Sequence, residues 1–379
     1  MASRLPTAPP VLSGYSYIRP LGAGGFADVF LFEQNMPKRS VAVKVLLQDV
    51  VDGQVLRMFN AEADVMARLS SHPAILTVYD ASISADGRPY LVMEYCPTSP
   101  GSRYRREQIP VAEILNTAVK VACALETAHR SGVLHRDLKP SNILTTSFGA
   151  PVLADFGIAS SLAGSDPEQL FAMSVPWSAP EVIQETTTGT IQTEVWAFAA
   201  TIYSLLAGRT PFETPDGRRT TTEQLKQRIG RARYTPIGRA DVPPALEHVL
   251  AQSMSRAPGD RPATMLMVAQ QLQQVQVGLG LQPTPLEVAV EEWAAAGGPV
   301  DFENDRMRGV MVSEVPVVSG RAPRRGRSPV RSVTDDGTRF VDAAEQRRGS
   351  RLKLSLVVGA AVIIGATATV GVLSATGVL

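Results

Sequence analysis

The chain is poor in cysteine, histidine, lysine and net charge. Two cysteines in 379 residues, Cys96 and Cys123, cannot build a disulfide framework, and neither stands at metal-ligand spacing, so a reducing compartment is expected. The four histidines, His72, His129, His135 and His248, form no ligand cluster in sequence. Basic and acidic residues nearly cancel, 37 against 36, which excludes a chain-wide nucleic-acid-binding field; no nucleic-acid partner is expected. Only six of the basic residues are lysines (38, 44, 120, 139, 226 and 353), so each invites a question. An apolar run is missing at the start, MASRLPTAPPVLSGYSY, so no secretory signal is expected there. Charge is missing altogether from Leu354 to Leu379, long enough to span a bilayer.

The remaining composition, 44% hydrophobic and 19% charged, is that of a globular protein. The length allows two or three domains, or one bilobal domain. Residues 1–14, with Pro6, Pro9 and Pro10, read as a flexible leader. Tyr15–Leu21, Val29–Phe32 and Val41–Leu46 read as strands. Val55, Phe59, Ala63, Met66 and Leu69 recur at helical spacing over residues 54–70, and two further strands are expected at Ile75–Ile83 and Pro89–Glu94. Beyond residue 100 the pattern is helical: Val111–Ser131, Ile191–Ala207, Ala245–Met254 and Ala263–Val275. A small β-rich lobe followed by a larger helical lobe is an α+β bilobal plan. Thr284-Pro285-Leu286-Glu287 has the form of a capping box, which predicts a short helix packed on or after the domain within 276–296. Residues 297–353 read as a disordered basic linker, with ten Arg or Lys against four Asp or Glu over 321–353.

Several motifs carry chemistry. Leu21-Gly22-Ala23-Gly24-Gly25-Phe26-Ala27-Asp28-Val29 lies between two strands, where glycine lets backbone amides approach an anion; a tight hairpin is the alternative reading. Val41-Ala42-Val43-Lys44 places a lysine in an apolar strand, where an ammonium needs an anionic partner unless it faces solvent. Glu62, inside the helical stripe, offers that partner; otherwise it is a solvated helix residue. His135-Arg136-Asp137-Leu138-Lys139-Pro140-Ser141-Asn142 combines a base, a cation and a metal-binding amide in one loop. Asp155-Phe156-Gly157 follows an apolar strand and suits a magnesium bridge to phosphate oxygens. Ser178-Ala179-Pro180-Glu181 closes the segment.

In this order and spacing, over about residues 15–275, the sequence resembles the bacterial eukaryotic-like (Hanks-type) Ser/Thr protein kinases. Its Arg- and Ala-rich style resembles actinobacterial members. The resemblance implies ATP and Mg²⁺, with Mn²⁺ as a substitute, and protein Ser/Thr hydroxyls as acceptors. It implies that Gly22, Gly24, Gly25, Val29, Ala42, Lys44, Met93, Glu94 and Cys96 surround the nucleotide. Lys44 would hold the α- and β-phosphates with Glu62 fixing it; Asp137 would accept the hydroxyl proton; Lys139 would neutralise the transferring group; Asn142 and Asp155 would hold the metal. Met66, His135 and Phe156 would form a spine between the lobes, and Glu181 and Arg261 a buried ion pair. Arg136 goes with loop phosphorylation in this family, and Ser160, Ser161 and Ser165 are the candidate autophosphorylation sites, while Ser174 would receive the substrate segment.

Four departures from the family pattern stand out: Ala27 for a glycine, Met173-Ser174 for Gly-Thr, Trp177 for Tyr, and Glu194 for the Asp that braces the catalytic loop. Glu194 and the Met173–Trp177 segment are the support for an alternative reading as a catalytically weak pseudokinase scaffold anchored at the membrane; a kinase of small molecules is a third. Arg347, Arg348, Arg351 and Lys353 flank the uncharged tail on one side, so a transmembrane helix over 354–376 would leave the kinase at the cytoplasmic face of the cell membrane. Ala361, Gly365 and Thr369 recur every four residues, which would suit a homodimer within the membrane; generic small-residue content explains the stripe as well.

Overall fold

The computed structural model describes residues 4–25, 27–51, 53–156, 174–214 and 220–289, all within the unit Met1–Ala296. Ser160, Ser161, Ser165 and Met173, the expected linker 297–353 and the expected membrane helix 354–376 lie outside the described residues. Among the described residues no helix is long and apolar enough to cross a membrane.

Five antiparallel strands form the first lobe: β1 (Tyr15–Ala23), β2 (Ala27–Asn35), β3 (Lys38–Leu46), β4 (Val78–Ile83) and β5 (Pro89–Glu94), in the order β1-β2-β3-β5-β4. Alternation sorts their side chains onto two faces. On one, Phe30, Phe32, Val41, Val43, Val45, Tyr90 and Val92 are all buried. Against the other packs helix α1 (Gly53–Leu69), whose Phe59, Met66 and Leu69 are buried at the spacing the sequence predicts. The expected strand from Ile75 starts at Val78, because Ile75 instead bridges Leu153 in the second lobe.

The second lobe is helical. A short α2 (Pro100–Arg103) precedes α3 (Val111–Arg130), whose buried positions go nearly all the way round, so it is the lobe's central post. The hairpin β6 (Ile143–Thr145) and β7 (Pro151–Leu153) follows. Then come α4 (Pro180–Ile183), α5 (Ile191–Ala207), α6 (Thr222–Gly230), α7 (Pro244–Ser253) and α8 (Met265–Gly278). Helix α5 starts at a Thr190–Thr193 capping box and stops at Gly208, whose φ of 70° suits glycine.

Two expectations are corrected. Residues 4–12 are not a loose leader: Leu12 is buried against the aromatic face of the sheet, and Arg4 and Thr7 hydrogen-bond the Asp28 carboxylate. A carboxylate buried on β2 needs such partners, and the leader supplies them. Residues 281–289 form no helix. The Thr284 amide and hydroxyl, which would cap one, are both taken by the Gln276 side chain at 2.9 and 2.8 Å. The segment runs along α3 instead, with Leu286 and Val288 on the core and the Ala289 amide donating to Thr127 Oγ1.

Candidate active site

The glycine motif is the β1–β2 turn: Ala23 pairs with Asp28, and the Gly24 amide donates to the Ala27 carbonyl at 2.8 Å. Ala27 is not among the positive-φ residues and pairs with Leu46, so this strand position needs no glycine. Strand register then puts Val29 beside Lys44, Lys44 beside Leu91, Ala42 beside Met93 and Val41 beside Glu94. Val29, Ala42, Lys44 and Met93 therefore gather on adjacent strands. Cys96 is half-buried just past β5, and burial, then the nearby Glu94 carboxylate, pushes its thiol pKa up to about 12. Glu62 lies on α1, but its side chain is outside the described residues.

The second lobe contributes two loops. Lys44 Nζ lies 3.0 Å from Asp155 Oδ1, joining β3 of the first lobe to the segment after β7. The Lys44 ammonium beside it holds the Asp155 carboxyl below its ordinary range. Asp137 is engaged at both oxygens: Lys139 Nζ donates to Oδ2 at 2.6 Å and Ser174 Oγ to Oδ1 at 2.5 Å. Asn142 Nδ2 donates to the Asp137 carbonyl at 2.8 Å, which turns the amide oxygen the other way. His135 Nε2 meets the Ala154 carbonyl at 2.9 Å, and its ring lies 4.8 Å from that of Phe156, so the two loops are fastened together. Met66 and Phe156 are both buried in the main core.

Arg136 and Asp155 both have left-handed backbones, with φ of 64° and 55°. For side-chain-bearing residues this conformation costs about 1 kcal/mol each and needs outside support. At Arg136 the support is Glu194 on α5, whose Oε1 accepts from the Arg136 amide at 2.6 Å. Its Oε2 meets His129 Nε2, also at 2.6 Å, and both side chains are buried. The extra methylene is thus absorbed by reaching the α3 histidine as well as the loop. In the sequence His129 carries no metal-ligand spacing, and its sole signal is its place at the polar end of an apolar helix.

Gly101 on α2 is another residue that spacing did not reveal. A Cβ there would lie 2.4 Å from the Pro140 carbonyl oxygen, so only glycine lets α2 abut the turn that carries Asn142. Further out, Arg261 pairs with Glu181 through two bonds of 2.6 and 3.0 Å, as expected, and lies 5.0 Å from the Trp196 ring. Trp177 donates from its indole to Ser204 Oγ at 3.0 Å, fixing the segment that follows Ser174.

Among the described residues no three His, Cys, Asp or Glu side chains gather as a metal site. The donors on offer are the Asp155 carboxylate and the Asn142 amide oxygen. So few hard oxygens fit Mg²⁺, which keeps several waters and shares phosphate oxygens with its substrate.

A β-sheet lobe and a helical lobe that place a lysine, two aspartates and an asparagine together have the architecture of the protein kinase type. The chain belongs to the protein kinase domain family, which matches residues 15–274. It is 37% identical over 286 residues to serine/threonine-protein kinase PknK of Mycobacterium tuberculosis (strain ATCC 25618 / H37Rv), covering 74% of this chain and 25% of that protein. It is 30% identical over 252 residues to serine/threonine-protein kinase PrkC of Bacillus subtilis (strain 168), covering 65% of this chain and 38% of that one. Serine/threonine-protein kinase PknF of Mycobacterium tuberculosis (strain ATCC 25618 / H37Rv) is 33% identical over 264 residues, covering 66% and 53%. The chain thus spans about a quarter of the length of the PknK relatives and about half of PknF.

Proposed function

We propose that the chain is a Ser/Thr protein kinase that transfers the γ-phosphate of ATP to protein hydroxyls with Mg²⁺. The observation that carries this reading is the Lys44–Asp155 pair, with Asp137, Lys139 and Asn142 held in the neighbouring loop. The metal, held by Asn142 and Asp155, would neutralise charge on the phosphate oxygens. Lys44 gives up Asp155 to bind the phosphates, and the backbone of Gly22, Gly24 and Gly25 covers them. Val29, Ala42 and Met93 enclose adenine, and the backbone of Glu94 to Cys96 binds its edge. Asp137 orients the acceptor hydroxyl and takes its proton as the new P–O bond forms and the bond to the ADP oxygen breaks. Lys139 offsets the charge that develops on the transferred group. Ser174 occupies Asp137 Oδ1 and marks where the acceptor hydroxyl would compete for it. The Glu194 contact to Arg136 supports an ordered catalytic loop over a pseudokinase.

We also propose autophosphorylation within Ser160, Ser161 and Ser165, and anchoring through residues 354–376 with the kinase at the cytoplasmic face. The anchoring rests on the uncharged run and its basic flank. Phosphoamino-acid analysis after incubation with labelled ATP tests the chemistry: label on serine or threonine, abolished by Lys44→Met, supports it, and label that survives Lys44→Met contradicts it. Fractionation of cells expressing the chain with and without residues 354–379 tests the anchor; equal release into the soluble fraction would contradict it.

A further inference from the structure

The face of the first sheet turned away from Lys44 carries a charge among aromatic side chains. Strand register pairs Val29 with Lys44 and Asp28 with Val45, so Asp28 points to the opposite face, and its side chain has no exposed surface. Its partners come from the leader. The Arg4 guanidinium binds Oδ1, and the amide and hydroxyl of Thr7 donate to Oδ2 at 2.8 and 2.7 Å. Arg4 also reaches the Gly24 carbonyl at 3.3 Å, inside the glycine turn itself. Behind Thr7, the buried Arg88 on the β4–β5 turn donates to Thr7 Oγ1 at 3.2 Å and to the Ala8 carbonyl at 3.0 Å. Asp86 holds that guanidinium in turn at 2.6 Å.

These contacts form one chain from the β4–β5 turn, through the leader, to the tip of the β1–β2 turn. Asp28 is the last residue of β2 paired with β1 before that tip, facing Ala23. A glycine turn is pliable, and its amides serve a phosphate only when held in place. We propose that residues 4–8 are a clamp that positions the glycine turn for nucleotide, so that Arg4 and Thr7 are positioning residues for ATP from the far side of the sheet. This rests on the kinase reading above. It follows that nucleotide binding and clamp closure favour each other by the same factor.

The full chain tests this. For Arg4→Ala the KM for ATP should rise about five- to tenfold while kcat changes less than about twofold, since the loss is in ground-state positioning. Arg4→Lys, which keeps a donor for Asp28, should hold the rise within about twofold. A role in folding alone would lower the melting temperature without that split. Trypsin supplies a readout independent of catalysis: Arg4 must leave Asp28 before the Arg4–Leu5 bond can be cut. Mg-ADP should therefore slow cleavage there by about the factor seen in KM. A KM unchanged in Arg4→Ala, or a cleavage rate indifferent to Mg-ADP, overturns the clamp. Failure of the unaltered chain to bind ATP or ADP at all overturns the kinase reading and the clamp with it.

Discussion

Glu194 joins three elements through one carboxylate: it sits on α5, accepts the Arg136 amide at 2.6 Å and meets His129 of α3 at 2.6 Å. The left-handed residue before Asp137 is thereby tied to the two most buried helices of the second lobe. Restoring the family's aspartate should then impair the protein, because the shorter side chain cannot span both partners. Glu194→Asp is expected to lower kcat about tenfold, the cost of roughly one charge-assisted hydrogen bond. Glu194→Gln should be milder, about threefold or less. His129 Nδ1 has no partner among the described residues, so the ring can move its proton there and accept from the new amide. Steady-state kinetics of the two variants at saturating ATP gives the order.

The Arg261–Glu181 pair concerns stability. The Arg261 guanidinium is fully buried, binds Glu181 through two bonds, and also donates to the Ser255 and Gln192 carbonyls. Arg261→Ala leaves a half-buried carboxylate and three carbonyls, the third that of Arg256, without their donor, at a cost of about 3 kcal/mol. Urea unfolding of the purified chain measures it. Arg261→Lys should recover less than half, since an ammonium cannot reproduce the fork.

His72 links the end of the first lobe to the chain leaving the second. Its Nδ1 accepts from the Ala74 amide at 3.0 Å, so Nε2 carries the proton and donates to the Glu287 carbonyl at 2.7 Å. The ring is therefore neutral, and burial lowers its pKa below the ordinary 6.5. The unfolded chain binds this proton more readily than the folded one, so the stability contribution is complete above about pH 6.5. It is lost as pH falls from there through the lowered folded value. His72→Gln, which keeps a donor for Glu287, should flatten the dependence of unfolding free energy on pH in that window.

Burial, then Glu94, raises the Cys96 thiol to about 12. Reactivity follows the thiolate, of which only about one part in 10⁴ is present at pH 8. Alkylation of Cys96 by iodoacetamide in the folded chain should be slower than in the urea-unfolded chain by about two orders of magnitude or more. Mass spectrometry at matched times measures the ratio.

The bilobal plan and the catalytic loops were legible because their chemistry is local. Asp137, Lys139 and Asn142 lie within six residues, and Lys44 is conspicuous because an ammonium in an apolar strand demands a partner. The same reasoning applied to Asp28, a charge beside the apolar run Val29–Phe32, would have pointed to a buried carboxylate. What it could not supply was the partner, since Arg4 and Thr7 stand 24 and 21 residues away in a proline-rich leader. The capping-box reading at Thr284 failed for a related reason. A capping hydroxyl and amide serve whichever donors and acceptors lie nearest, and here tertiary packing put Gln276 there first. His129 and Gly101 matter only through what they touch across the fold, which spacing along the chain does not encode.

The central claim is that Asp137 serves as the base for phosphoryl transfer in a site that Lys44 and Asp155 complete. The most direct measurement incubates the purified chain and its Asp137→Asn variant with labelled ATP and Mg²⁺, alongside a binding assay for ATP. The account predicts label on the unaltered chain or an added protein substrate, a loss of at least about a thousandfold in Asp137→Asn, and ATP affinity the same within about threefold. Equal labelling of the two proteins, or ATP binding by the unaltered chain without any transfer, would contradict it.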